Sequence, residues 1–279
     1  MSFKTIMTVV TDKAHLKDTI SKAADLAEVL DAHLDVVCMG VDRTQTGYYN
    51  AGMNAAVLQE TLQQARTDAE EMAKVAKAQL GATTLRWGVT DAVCQLADIA
   101  RYVASHARFS DLAVLPRPYG DDRGIELEPT VEGALFEGQA PVIVLPTSSE
   151  TLKLPRKVAI GWNESAEALR AVRNALPLLK TAERAHIVVI DPPKHGPNRS
   201  DPGGLLSQFL ARHGVHVEID VLSKTMPRVS DVMRRHVSDI DADMVVMGAY
   251  GHSRFREAIL GGATRNMLET SEVPVFMAH

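Results

Sequence analysis

Two hydrophobic rhythms alternate along the chain. Short continuous apolar runs, Ile6 to Thr11, Leu34 to Met39, Val158 to Trp162 and His186 to Ile190, read as buried strands. Between them, apolar residues recur at intervals of three and four. Ile20, Ala23, Ala24 and Ala27 form one such stripe, and Ala168, Ala171, Val172 and Ala175 form another, which is the spacing of a helix with one buried face. The same reading predicts third strands near Thr83 to Trp87 and Val215 to Leu222, and third helices near Ala92 to His106 and Val229 to Val237. A long amphipathic helix is expected near Asn54 to Leu80, and another helix from Ala263 onward. Strand and helix in alternation, with strands apolar on both faces, imply an α/β fold with a parallel sheet covered on both sides.

The pattern occurs twice. Asp111-Leu112-Ala113-Val114-Leu115 parallels Asp243-Met244-Val245-Val246-Met247, and Ala140-Pro141-Val142-Ile143-Val144 parallels Val273-Pro274-Val275-Phe276-Met277. The step from aspartate to proline is 30 residues in the first half and 31 in the second, a register that points to duplication. A polar stretch between Pro146 and Pro155 separates two expected domains, 1–147 and 154–279, each a doubly wound parallel-sheet unit. Ala140 to Pro146 and Val273 to His279 read as apolar edge strands that close their units. Pairing these edges with each other would remove an aggregation hazard and make an intramolecular pseudo-dimer.

Candidate chemistry concentrates late in the second half. The strand Met244 to Met247 runs into Gly248, Gly251, Gly261 and Gly262, with a helix following from Ala263. Backbone N–H groups at a helix start suit an anion, and glycines let phosphate approach the backbone; an ordinary strand-to-helix turn uses glycine as well. Ligands in such sheets sit beyond the carboxyl ends of the strands, where the strand order reverses, so Asn163, Asp191 and Gly248 are expected to converge. Asn163 also reads as a cap for the helix beginning at Glu164 or Ser165.

Two residues separate Gly248 from Gly251 and nine separate Gly251 from Gly261, a spacing that resembles the nucleotide-binding signature of the universal stress protein family. The whole chain looks like a tandem of two such units, with the glycine signature in the second alone. The resemblance implies an adenine nucleotide alpha hydrolase-like fold and a site for ATP or AMP, with or without Mg, made by Gly161, Asn163, Val189, Gly248, Gly251, Gly261, Gly262, Ala263 and Thr264. Within it, Asn163 replaces an aspartate that faces base and ribose, Val189 takes the strand-two position whose backbone reads adenine, and Gly262 replaces a hydroxyl residue. Thr264 matches a second hydroxyl position.

Composition narrows the function classes. A net charge of −5 without a long basic run excludes a nucleic-acid footprint, and no stretch approaches a membrane span. With no apolar leader in the first residues, a cytoplasmic location is expected. Cys38 and Cys94 form no CxxC pair and are expected in the core. The first half follows its fourth strand with Pro116-Arg117-Pro118-Tyr119-Gly120-Asp121-Asp122, prolines where donors are needed and carboxylates that repel phosphate, so it is expected to carry no nucleotide. Lys194, His195 and Arg199 on the Pro- and Gly-rich stretch Asp191 to Gly204, and His252, could reach phosphates or belong to solvated surface. No GxSxG, HExxH or Walker lysine motif is present, so no enzyme is expected. Three readings follow: a regulatory adenine-nucleotide-binding stress protein, a scaffold or interaction protein of the same fold without nucleotide, and a slow ATP hydrolase, which would need a water-positioning base; under any of them a homodimer is open beside the pseudo-dimer.

Overall fold

The computed structural model describes residues 2–43, 55–120, 123–147, 151–192, 201–249 and 262–279, with the side chains of 55–57 left aside. The chain forms two compact units, one built on residues 3–140 and the other on 153–279 together with the stretch starting at Pro141.

The first unit runs β1 (Thr5–Val10), α1 (Leu16–Val29), β2 (His33–Asp42), α2 (Ala55–Leu80), β3 (Trp87–Gln95), α3 (Ile99–Ala107), β4 (Leu112–Pro116) and α4 (Leu127–Glu132). Its strands lie in the order β3-β2-β1-β4, all parallel. β4 is buried at all five positions and β1 at every position after Thr5, as a sheet covered on both faces requires. Gly40 of β2 is glycine of necessity: a Cβ there would collide with the Ala65 carbonyl of α2.

β5 (Val142–Leu145) belongs with the second unit. That unit continues β6 (Lys157–Gly161), α5 (Ala166–Leu179), β7 (Arg184–Ile190), α6 (Gly204–Arg212), β8 (Val217–Leu222), α7 (Val229–Asp239), β9 (Met244–Gly248), α8 (Ala263–Thr270) and β10 (Val275–Ala278). The order is β8-β7-β6-β9-β10, parallel, with β5 antiparallel along β10 through Val144 opposite Val275, Ile143 opposite Phe276 and Val142 opposite Met277. All four residues of each of these two strands are buried. Burying a side chain such as Phe276 contributes about 1.5–3 kcal/mol, which the pairing secures on both sides of β10.

The aspartates matched in the two halves hold equivalent places. Asp111 accepts from the backbone N–H groups of Lys4 and Thr5 at 2.7 and 3.0 Å, and Asp243 accepts from those of Arg156 and Lys157 at 3.0 Å. Each carboxylate thus ties the start of a unit's fourth strand to the start of its first.

One stretch departs from the sequence expectation. The third strand of the first unit was expected at Thr83 to Trp87, with helix from Ala92. The strand instead starts at Trp87 and runs to Gln95, and helix begins only at Ile99. All nine residues pair with β2, so a long ladder overrides the local helical spacing of Ala92 and its successors. Both cysteines are buried, and burial pushes the Cys38 thiol up to about 12.

Candidate functional site

In the second unit the chain passes from β6 outward to β7 and β8, then returns across to β9 on the other side of β6. The reversal point lies between β6 and β9, and their carboxyl ends are Gly161 and Gly248. The β6–β9 ladder pairs Ile160 with Val246, which brings Gly161 level with Met247. A Cβ at Gly161 would meet Met247 and Met233 of α7 at 3.6 and 3.8 Å, ordinary contact distances. Neither packing nor a left-handed φ demands glycine there. Gly248 differs: a Cβ would lie 2.6 Å from the backbone nitrogen of Ala168, so its bareness lets the first turn of α5 press against β9. The two glycines face opposite sides of the sheet, α7 below one and α5 above the other.

The start of α5 is built by short polar side chains. Ser165 is its N-cap and accepts from Ala168 N–H at 3.1 Å. Asn163 Oδ1 accepts from Ser165 N–H at 3.1 Å, so this exposed side chain forms the local turn that launches the helix. Between Gly161 and Asn163 stands Trp162, half exposed. Val189, near the end of β7, is buried.

Gly262 caps α8 without a side-chain hydrogen bond, at φ −58°, a conformation open to any residue. Ala263 is exposed and Thr264 is buried within the first turn. Gly161, Asn163, Val189 and Gly248 therefore gather at adjoining strand ends, while Gly262, Ala263 and Thr264 form the start of α8. Gly251, Gly261, His252, Lys194, His195 and Arg199 lie outside the described residues.

α7, which floors Gly161, is fixed by a polar cluster. Asp220 Oδ2 of β8 lies 2.9 Å from His186 Nδ1 of β7 and 2.7 Å from His236 Nε2 of α7. A carboxylate oxygen only accepts, so both ring nitrogens donate to it. Glu218 lies 3.7 Å from His186 Nδ1 and is itself paired with Arg184. Among the described residues no group of three His, Cys, Asp or Glu side chains is disposed to hold a metal ion.

The first unit is furnished differently. β4 ends in Pro116, and at the start of α4 the carboxylate of Glu126, 1% exposed, takes the Arg43 guanidinium at 2.9 Å. A carboxylate of the chain's own is thus buried against Arg43, the residue that follows β2.

Sequence reasoning passed over Trp162 and Met233. Met233 is hidden in an ordinary helical stripe. Trp162 is one aromatic residue within a turn, which carries no periodicity; its place immediately after a strand that ends in glycine was the available signal.

The fold defines a doubly wound α/β protein whose strand order in the second unit reverses between β6 and β9. Residues 155–279 match the model of the Universal stress protein family. The match spans the strands and helices of the second unit from β6 to β10, so it is this part of the chain that is similar to universal stress protein domains. A 136-residue stretch is 25% identical to the universal stress protein Slr1230 of Synechocystis, covering 48% of this chain and 45% of that relative, so the match spans under half the relative's length. A universal stress protein from Archaeoglobus fulgidus superposes with a TM-score of 0.74 at 16% identity, over 98% of this chain and 95% of its own. A functionally unknown protein from Pseudomonas aeruginosa PAO1 gives 0.56 at 15% identity, over 99% and 92%. These likenesses extend the same fold to both halves. Among the described residues no helix is long and apolar enough to cross a membrane.

Proposed function

We propose that the second unit binds one adenine nucleotide, ATP or AMP, with or without Mg, at the ends of β6, β7 and β9, and that occupancy sets the protein's conformation or choice of partner under stress. The protein acts as a binder and not as an enzyme. The observation that carries this reading is the bare backbone at Gly161: a glycine that no neighbour requires, at the strand-order reversal where such sheets take their ligands. The glycine spacing through Gly251 and Gly261 supports it from the sequence. The buried Glu126 carboxylate supports leaving the first unit without a phosphate ligand.

Calorimetric titration of the full chain with ATP, ADP and AMP tests the reading. A stoichiometry near one is expected. Heat at a stoichiometry near two would place a site in the first unit too, and no heat with any of the three would favour the second reading, a scaffold without nucleotide. That alternative has two observations of its own: Asn163 Oδ1 is engaged by the Ser165 N–H, and Gly262 offers no hydroxyl.

A further inference from the structure

We propose that Trp162 selects the ligand of the strand-end site, stacking a purine base on its indole in preference to a pyrimidine; this rests on the nucleotide reading and names the bases the site accepts. The backbone N–H of Trp162 donates to Val188 O at 3.0 Å, so the parallel ladder continues one bond beyond β6. Gly161 pairs with Val188, and the next row therefore joins Trp162 to Val189. Residues in one row share a face of the sheet. Val189 points to the α6 face, where its Cγ2 lies 3.7 Å from the Cβ position of Gly203. Strand alternation carries the indole to that face at the carboxyl edge, while the bare side of Gly161 is turned toward α7 on the other face.

There it is half-buried, and among the described residues its ring N–H has no hydrogen-bond partner and its ring no aromatic neighbour. Buried tryptophans ordinarily satisfy that N–H within the protein. The neighbouring polar side chain is committed elsewhere, because Asn163 Oδ1 holds the Ser165 amide. Among the described residues at this edge, the indole offers a flat apolar surface with one donor on its rim. A planar heteroaromatic ring matches it, and because offset stacking strengthens with overlap, a two-ring purine gains more than a one-ring pyrimidine.

The test titrates AMP, CMP and ribose 5-phosphate into the full-length protein and into its Trp162→Phe and Trp162→Leu variants, with thermal melts to verify folding. The unaltered protein should prefer AMP to CMP by about tenfold or more. Phe should keep most of that preference; Leu, apolar but without a π face, should weaken AMP about tenfold and bring it within about twofold of CMP. Ribose 5-phosphate, having no base, should bind all three alike. An undiminished AMP preference in the Leu variant overturns the assignment of Trp162 and leaves nucleotide binding standing. A fall in ribose 5-phosphate affinity in that variant also overturns it, since the indole would then be shaping the site and not stacking a base. If the unaltered protein takes up neither nucleotide, the nucleotide reading fails and this inference with it.

Discussion

At Gly248 a methyl group would press on the Ala168 backbone, whereas at Gly161 it would find ordinary contacts. Gly248→Ala should therefore destabilise the protein by about 1–3 kcal/mol, while Gly161→Ala should stay within about 0.5 kcal/mol. Equal shifts of the two denaturation midpoints would contradict this. The residue scale also carries a pH dependence. Burial raises the Cys38 thiol to about 12, whereas an unfolded thiol ionises near 8.5. The folded state then holds a proton that the unfolded state gives up, so the stability linked to Cys38 is complete below about pH 8.5 and is lost as pH rises toward 12. Cys38→Ala should flatten the alkaline limb of a stability-against-pH curve, and native Cys38 should resist alkylation at pH 8.5. A limb of unchanged steepness would trace it to other groups. In the sequence, Gly161 and Gly248 looked alike; only the neighbours brought by folding distinguish a glycine required by packing from one that is not.

Among the elements, α7 depends most visibly on polar contacts. Asp220 accepts from imidazoles on β7 and α7, and His186 is 7% exposed. Asp220→Ala should cost about 2 kcal/mol by leaving a buried donor without its acceptor, read as a lowered urea midpoint at constant slope. Asp243→Ala should cost a similar amount, because it strips the amides of Arg156 and Lys157 where β6 begins. A midpoint unchanged in either variant would show that water replaces the carboxylate fully. The elements themselves were largely legible in the sequence. Continuous apolar runs located β1, β4, β6, β7 and β9, and the stripe at Ala168, Ala171, Val172 and Ala175 located α5, since burial on two faces or on one leaves its mark in composition. β3 was placed too early because its nine-residue ladder with β2 is a tertiary fact. Asn163 was read as the helix cap, but Ser165 takes that place and Asn163 holds the Ser165 N–H in the turn before it; the histidine pair around Asp220 was not legible, because His186 and His236 are far apart in sequence and meet through Asp220 of β8.

For the molecule as a whole, the sequence-based boundary at residues 147 and 154 and the packing differ over one strand. β5 lies along β10, within the unit built on residues 153–279. Residues 154–279 alone should therefore self-associate through the uncovered edge of β10 more strongly than residues 141–279, which keep β5 over it. Light scattering distinguishes them, and a monomeric 154–279 fragment would show that β10 needs no cover. The pairing of Val144 with Val275 has a further consequence in time. The two residues are separated by more than a hundred positions, and β10 follows every other strand in the sequence. During synthesis β5 leaves the ribosome long before β10 exists, and the edge that β10 will cover must wait, apolar and open, while the whole intervening unit is made. Closing so distant a contact is intrinsically slow, so this strand is where chaperone binding to the nascent chain should be strongest.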